Sequence, residues 1–277
     1  MPNKKREAKK SNNEGIRFAK NFGRTFVQVL KSPYYLAKGI TYLTKRSEDI
    51  SKEQAISKKR ESMEAHYEPF KVVETISGDY KKWFSKMLSS DSQIGIIIGA
   101  RGSGKTAFGI KFLENIYANE KKKCFAIGFK ENELPSWING VSDISQLEND
   151  SYVLIDEGGI LFNSRSSMSN ANKMLSELIM ISRHKNLTIL FISQNSSNLE
   201  VNILRQADFL VLKCSSLLQK EFERKIIQKM YEDSEKYFKK HEDDKGLTYI
   251  FAGSFKGFIS NSLPSFWREG ISKGFRR

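Results

Sequence analysis

A chain of 277 residues with 39% apolar and 12% aromatic residues can bury a substantial core, while two cysteines and three scattered histidines exclude a disulfide framework and a Cys/His metal cluster. Apolar runs fall far short of the ~20 residues of a membrane span, and MPNKKREAKK is followed by no apolar signal core. The formal net charge of +14 sits at the ends, about +9 in residues 1–66 and about +4 in 255–277, as in arms that reach for nucleic acid or an anionic membrane.

Residues 1–13 are basic and polar, a composition that does not fold by itself. From Ile16 to Lys31 the pattern is helical, with Phe18, Phe22, Phe26, Val29 and Leu30 on one side and Arg17, Lys20, Arg24 and Lys31 on another. Such a basic amphipathic helix packs on the domain behind it, lies on an anionic membrane, or binds a partner helix. Ser32 and Pro33 read as a cap and the first turn of a new helix. The charged stretch Ser47–Ala65 reads as an exposed helix or linker, and the composition changes near Tyr67. We therefore expect an N-terminal extension over 1–67, a central domain over 68–254 and a basic aromatic tail over 255–277. Within the central domain Tyr80, Trp83, Phe84 and Met87 recur at the spacing of one helix face.

Ile94–Thr106, IGIIIGARGSGKT, is a β-branched run that ends in glycines, a lysine and a threonine. It fits G-x-x-x-x-G-K-[ST], with a strand before it and a helix pattern after it. Glycines let the backbone turn its N–H groups onto phosphate oxygens, Lys105 supplies a point charge, and the Thr106 hydroxyl suits Mg²⁺. The loop assigned to nucleotide thus runs from Gly99 through Arg101, Gly102, Ser103, Gly104, Lys105 and Thr106 to Ala107.

Helix Ala107–Asn119 and strand Cys124–Gly128 follow, then an irregular connection over 133–147 and the apolar strand Tyr152–Ile155, which closes on Asp156 and Glu157. Downstream of a phosphate loop, such a pair assigns Asp156 to Mg²⁺ and Glu157 to the attacking water. A Ser/Asn-rich loop over 163–172 contains Arg165, and a helix over about 173–184 leads to strand Leu187–Ile192, which ends in Ser193 and Gln194. Gln194, at a strand's carboxyl end, faces the crevice where α/β sheets bind ligands. Strand Phe209–Lys213, a long charged helix through Phe222, Ile226 and Met230, and strand Thr248–Ala252 complete an alternation that predicts a mostly parallel sheet covered on both faces. Cys124 and Cys214, in or beside apolar strands, read as buried thiols of a reducing compartment.

The acid pair, the helix ending SRHKN, the strand LTILFISQ, the run NILRQADFLVLK and the end LPSFWREGISKGF together resemble the HerA/FtsK group of P-loop ATPases, especially small viral and plasmid members of the genome-packaging and Zot-like type. The likeness covers about 70–275. It implies a three-layer α/β ASCE, RecA-like domain in which an extra strand separates the phosphate-loop strand from the acid-pair strand. It also implies ATP hydrolysis with Mg²⁺ between subunits of a ring, commonly a hexamer, that moves double-stranded DNA. On matching positions Asp156 supports the metal, Glu157 is the base and Gln194 senses the γ-phosphate. An arginine comes from the neighbouring subunit: Arg183, with Arg205 and Arg165 as further candidates. Gly158 and Gly159 depart from the group's usual small-then-polar pair.

A Zot-like membrane-associated ATPase for virion extrusion or secretion is the alternative, with contact to a membrane or virion protein through the Ile16–Lys31 stretch. Both place the protein in the cytoplasm, of a host cell if viral, or peripherally at its membrane. A small-molecule kinase or GTPase is disfavoured, since no N-K-x-D-like element follows the acid pair and no arginine-rich lid is evident.

Overall fold

A computed structural model describes residues 33–89, 92–157 and 168–273. The expected amphipathic helix over 16–31, Gly158 and Gly159, Arg165 and most of the Ser/Asn-rich loop lie outside the described residues. The chain divides into two units, 1–56 and 57–277, so the division falls before the expected boundary at 67. Helix α1 (Pro33–Glu61) spans it and begins at the anticipated proline. In the first unit α1 exposes Ile40, Tyr42, Leu43 and Ile50. Its last turn belongs to the second unit, where Arg60 pairs with Glu131 at 2.6 Å and Lys59 with Glu133 at 3.3 Å. No helix among the described residues is long and apolar enough to cross a membrane.

The second unit is built on a nine-stranded sheet. In chain order its elements are β1 (Lys71–Gly78), α2 (Tyr80–Ser89), β2 (Gln93–Ile98), α3 (Lys105–Glu120), β3 (Lys123–Ile127), β4 (Ile138–Val141), β5 (Ser151–Asp156), α4 (Met168–Lys185), β6 (Thr188–Ser193), α5 (Val201–Gln206), β7 (Phe209–Leu212), α6 (Leu217–Phe222), α7 (Lys225–Lys240), β8 (Thr248–Ala252), β9 (Phe255–Ser260) and α8 (Glu269–Lys273). The strand order is β1-β9-β8-β7-β2-β6-β5-β3-β4. Strands β7, β2, β6, β5, β3 and β4 run parallel, and β8, β9 and β1 extend the sheet by antiparallel pairing.

The central strands are unbroken apolar runs because both faces are covered. Every residue of β2 and β6 is buried. On one face Trp83, Phe84 and Met87 of α2 and Phe108, Phe112 and Leu113 of α3 pack with Ile97, Val211 and Ile259. On the other, Leu175 and Leu178 of α4, Ile203 of α5 and Ile227, Met230, Tyr231 and Phe238 of α7 pack with Ile96, Ile98 and Ile189. The result is the expected three-layer α/β domain with a mostly parallel central sheet.

Four expectations are corrected. Phe255–Ser260 is strand β9 and not part of a tail: Phe255, Gly257, Phe258 and Ile259 are buried between β8 and β1. The connection over 133–147 contains the edge strand β4, paired with β3. The long charged helix through Phe222, Ile226 and Met230 is two helices with a break at Glu223 and Arg224, and of the three only Met230 is buried, Phe222 and Ile226 being exposed. Cys124 is buried but Cys214 is exposed, because the chain leaves the sheet after β7 with Lys213 turned inward.

A buried clasp ties the flanks of the second unit to the helix after the phosphate loop. Glu114 of α3, wholly buried, accepts from Lys111 Nζ at 3.1 Å, from the His66 N–H at 3.1 Å and from the Ser265 hydroxyl at 2.5 Å. Lys111 also pairs with Glu68 at 3.1 Å. Nearby, Trp137 stacks on Tyr117 at 4.9 Å and meets Phe266 edge-on at 5.6 Å, while its Nε1 donates to the Met63 carbonyl. The segment LPSFW is thereby part of the domain.

Candidate nucleotide site

The phosphate loop leaves β2 at its carboxyl end and enters α3 at Lys105. Gly102 and Gly104 hold φ of 79° and 89°, in the left-handed region where a Cβ is strained. At Gly99 the constraint is space: an added Cβ would lie 2.7 Å from the Lys213 Cβ and 2.8 Å from the Ser103 Oγ. Gly104 caps α3 without a side-chain hydrogen bond, so the first-turn N–H groups stay available to an anion. The Ser103 Oγ is buried with no hydrogen-bond partner among the described residues. These features fit a phosphate group, which would give Ser103 and the helix start the partners they lack.

Lys105 is folded onto the loop, its ammonium donating to the carbonyls of Gly99 at 2.6 Å and Ala100 at 2.9 Å. Burial pushes this ammonium down to about 8, against the opposing pull of the Asp156, Glu157 and Glu223 carboxylates. Thr106 and Ala107 open α3, with Thr106 half-buried and Ala107 buried, while Arg101 is exposed on the loop.

Asp156 ends β5, and Glu157 follows it. β6 lies between β2 and β5, and Ile98, Ser193 and Asp156 sit at neighbouring ends of the three strands. The carboxylates thus stand one strand removed from the phosphate loop, at the same edge. Glu157 is 4% exposed, and its Oε2 accepts from the Ser193 hydroxyl at 2.6 Å. Its Oε1 is buried without a partner among the described residues. Burial raises the Glu157 pKa, and the Ser193 hydroxyl opposes the shift. Sequence reasoning singled out Gln194 and passed over Ser193, the residue that touches Glu157; its place as the last residue of β6, level with Ile98, was the available signal. Gln194 is exposed one residue beyond that strand end.

Arg183 and Arg205 are exposed and lie elsewhere. Arg183 closes α4 just before β6, and Arg205 precedes β7. Both therefore lie at the amino end of the sheet, about 20 Å from the loop along a six-residue strand. Within one chain neither joins the site.

Lys213 backs the loop. It is 1% exposed, its N–H donates to the Ile98 carbonyl, and its ammonium donates to the carbonyls of Lys245 and Gly246 and to the Thr248 hydroxyl. Burial pushes it down to about 7, with Asp244 pulling it back up. Between that value and the ordinary 10.5 the unfolded chain binds the extra proton, so the stability of the fold rises with pH through this window. Urea unfolding across pH 6.5–9 is expected to show this rise, and Lys213→Met to flatten it; equal slopes in both proteins would contradict the assignment.

The strand order and the loop together define a class: this is the fold of a P-loop nucleoside triphosphatase with an added strand, β6, between the phosphate-loop and acid-pair strands. That is the extra strand implied by the resemblance to HerA/FtsK-type P-loop ATPases. No protein-family model and no curated protein matches the chain. Among solved structures, the genome packaging NTPase B204 from Sulfolobus turreted icosahedral virus 2, in complex with sulfate, is similar over 63% of this chain and 98% of that one, at 14% identity and a TM-score of 0.43. The pCW3 conjugation coupling protein TcpA, with ATPgS, is similar over 76% of this chain and 69% of its own, at 12% identity and a TM-score of 0.43. EssC (ATPases 2 and 3) from Geobacillus thermodenitrificans is similar over 67% of this chain and 42% of its own, at 9% identity and a TM-score of 0.41. The fold assignment rests on the chain's own strand order.

Proposed function

We propose that the chain is an ATP-hydrolysing motor of the HerA/FtsK type that moves DNA as a ring oligomer. The supporting observation is the convergence, at one sheet edge, of the phosphate loop, the Asp156–Glu157 pair and the Ser193–Gln194 end of β6. In this reading the loop from Gly99 to Ala107 binds ATP, and Lys105 exchanges its two carbonyls for phosphate oxygens. Thr106 and Asp156 would hold Mg²⁺, which neutralises charge on the phosphates. Glu157, held on one oxygen by Ser193, keeps the other for the proton of the attacking water. Gln194 senses the γ-phosphate. DNA as the polymer comes from the resemblance, and the chain's +14 charge suits it.

Since Arg183 cannot reach the site of its own chain, it acts across a subunit boundary in this reading. Two measurements test the proposal. ATP turnover should rise with double-stranded DNA more than with single-stranded DNA or anionic liposomes, and should fall on dilution. Mixing Arg183→Ala with Glu157→Gln subunits should restore turnover, because some boundaries regain one intact site. No recovery at any ratio, with assembly intact, would remove Arg183 from the mechanism. Stimulation by liposomes alone would favour the membrane-associated alternative.

A further inference from the structure

Close to the site lies a buried carboxylate that the chemistry above leaves unused. Glu223, 5% exposed, stands in the two-residue joint between α6 and α7. Its Oε2 accepts from the Ser196 N–H at 2.7 Å and from the Ser196 hydroxyl, and its Oε1 accepts from Gln219 Nε2 at 2.9 Å. The same Gln219 amide donates to the Gln194 carbonyl at 2.6 Å. Arg224 closes on the same segment, donating from its N–H to the Ser196 Oγ, from Nε to the Ser196 carbonyl and from Nη2 to the Leu199 carbonyl. Ser197 Oγ donates to the Phe222 carbonyl at 2.6 Å.

All but one of these contacts, the Gln219–Glu223 bond, fall on residues 194–199, the irregular segment that leaves β6 directly after the serine that holds Glu157. Besides a single 3-10 turn at Ser196–Asn198 and bonds from Ser193, Asn195 and Asn172, this segment is held by Gln219 of α6 and by Glu223 and Arg224 of the α6–α7 joint. A buried carboxylate is costly to retain unless its hydrogen bonds are filled, and here they are filled by Ser196 of the loop and Gln219 of α6. Glu223 is also among the carboxylates whose field reaches Lys105.

We propose that Glu223 is a positioning residue for hydrolysis: through Ser196 and Gln219 it fixes the segment that carries Gln194, and so sets where Gln194 meets the γ-phosphate. The inference rests on Gln194 being the γ-phosphate sensor. Three donors converge on the two oxygens of Glu223. Glu223→Gln keeps the volume but offers one acceptor oxygen and turns an NH₂ towards a donor, so at least one contact is lost.

The test is ATP hydrolysis by the full chain, together with the Kd of a fluorescent ATP analogue, in four proteins: the parent, Glu223→Gln, Gln194→Ala and the double variant. Glu223→Gln is expected to lower kcat by about tenfold or more, with KM and Kd unchanged to within about twofold. In the Gln194→Ala background it should add less than about twofold, since residues that act as a unit are not additive. Ser196→Ala, which removes one of the three donors and leaves the carboxylate in place, should give a smaller loss of kcat with the same non-additivity; it stands in if Glu223→Gln fails to fold. A parental kcat in both Glu223→Gln and Ser196→Ala overturns the proposal. So do effects that multiply with Gln194→Ala, or a KM that rises in step, which a purely structural role predicts. The two failures are distinguishable: a parental rate in Gln194→Ala removes the sensor assignment and this inference with it, whereas a slow Gln194→Ala whose effect multiplies with Glu223→Gln removes the inference alone.

Discussion

Lys105→Ala is expected to abolish ATP binding, and Glu157→Gln to leave binding intact while lowering turnover by at least ~10²-fold. The separation follows from what each side chain touches. Lys105 is the cation of the loop, and its present partners are two carbonyls of that same loop. Its removal takes away the point charge that phosphate oxygens would meet and the ammonium donor of the Gly99 carbonyl, while the Ala100 carbonyl keeps the Ser103 N–H. Glu157 lies one strand away, at the end of β5, and its attachment is to Ser193. The amide of Glu157→Gln can still accept that bond through its oxygen, so the local fold and the loop are undisturbed. What is lost is the basicity of the second oxygen. Equilibrium binding of a fluorescent ATP analogue and phosphate release measure the two effects. A Glu157→Gln protein that hydrolyses ATP at the parental rate would exclude Glu157 as the base.

The second large effect concerns stability. Glu114→Ala strands the buried Lys111 and removes the acceptor for His66 and Ser265. Breaking a buried pair by removing one partner costs about 3–5 kcal/mol. In a domain of this size each kcal/mol moves Tm by roughly 2–4 °C, so a fall on the order of 10 °C is expected by calorimetry. Lys111 keeps a contact with Glu68, but Glu68 is exposed, and a solvent-screened partner replaces little of what is lost. The double variant Lys111→Met/Glu114→Leu should regain most of the loss, because the uncompensated charge is gone. A Glu114→Ala fall below about 2 °C would show that the clasp contributes little.

What could be seen in the sequence was what is local. The phosphate loop, Asp156–Glu157 and the parallel strands other than β4 carry their signals within a few residues, chiefly as apolar runs closed by glycine, acid or amide. Strands β1 and β9 are hard to read because their composition is mixed and β1 has its partner far along the chain: KVVETISG is largely exposed at an edge, and FKGFIS is basic and aromatic with no alternating pattern. Phe222 and Ile226 continue the helical spacing of the core, yet the break at Glu223 turns both outward. Ser193 is marked in the sequence only as the polar residue that ends the apolar run of β6. Glu223 is not marked, since its partner Ser196 lies 27 residues earlier and no periodicity links them.

The pairing of β1 with β9 has a consequence for the order in which the polypeptide acquires structure. Lys71 meets Ser260 and Gly78 meets Phe255, so β1 waits for ~180 residues of later chain before it has a ladder to join. During synthesis at 5–20 residues per second that wait is about 9–36 seconds. Throughout it the β2–β7 core can assemble, but β1 and the aromatic face of α2, whose Trp83 rests on Phe209 and Phe255, lack their final neighbours. Co-translational folding of this unit is therefore expected to end with a late closing step, in which the strand before the phosphate loop is zipped onto the one that arrives last.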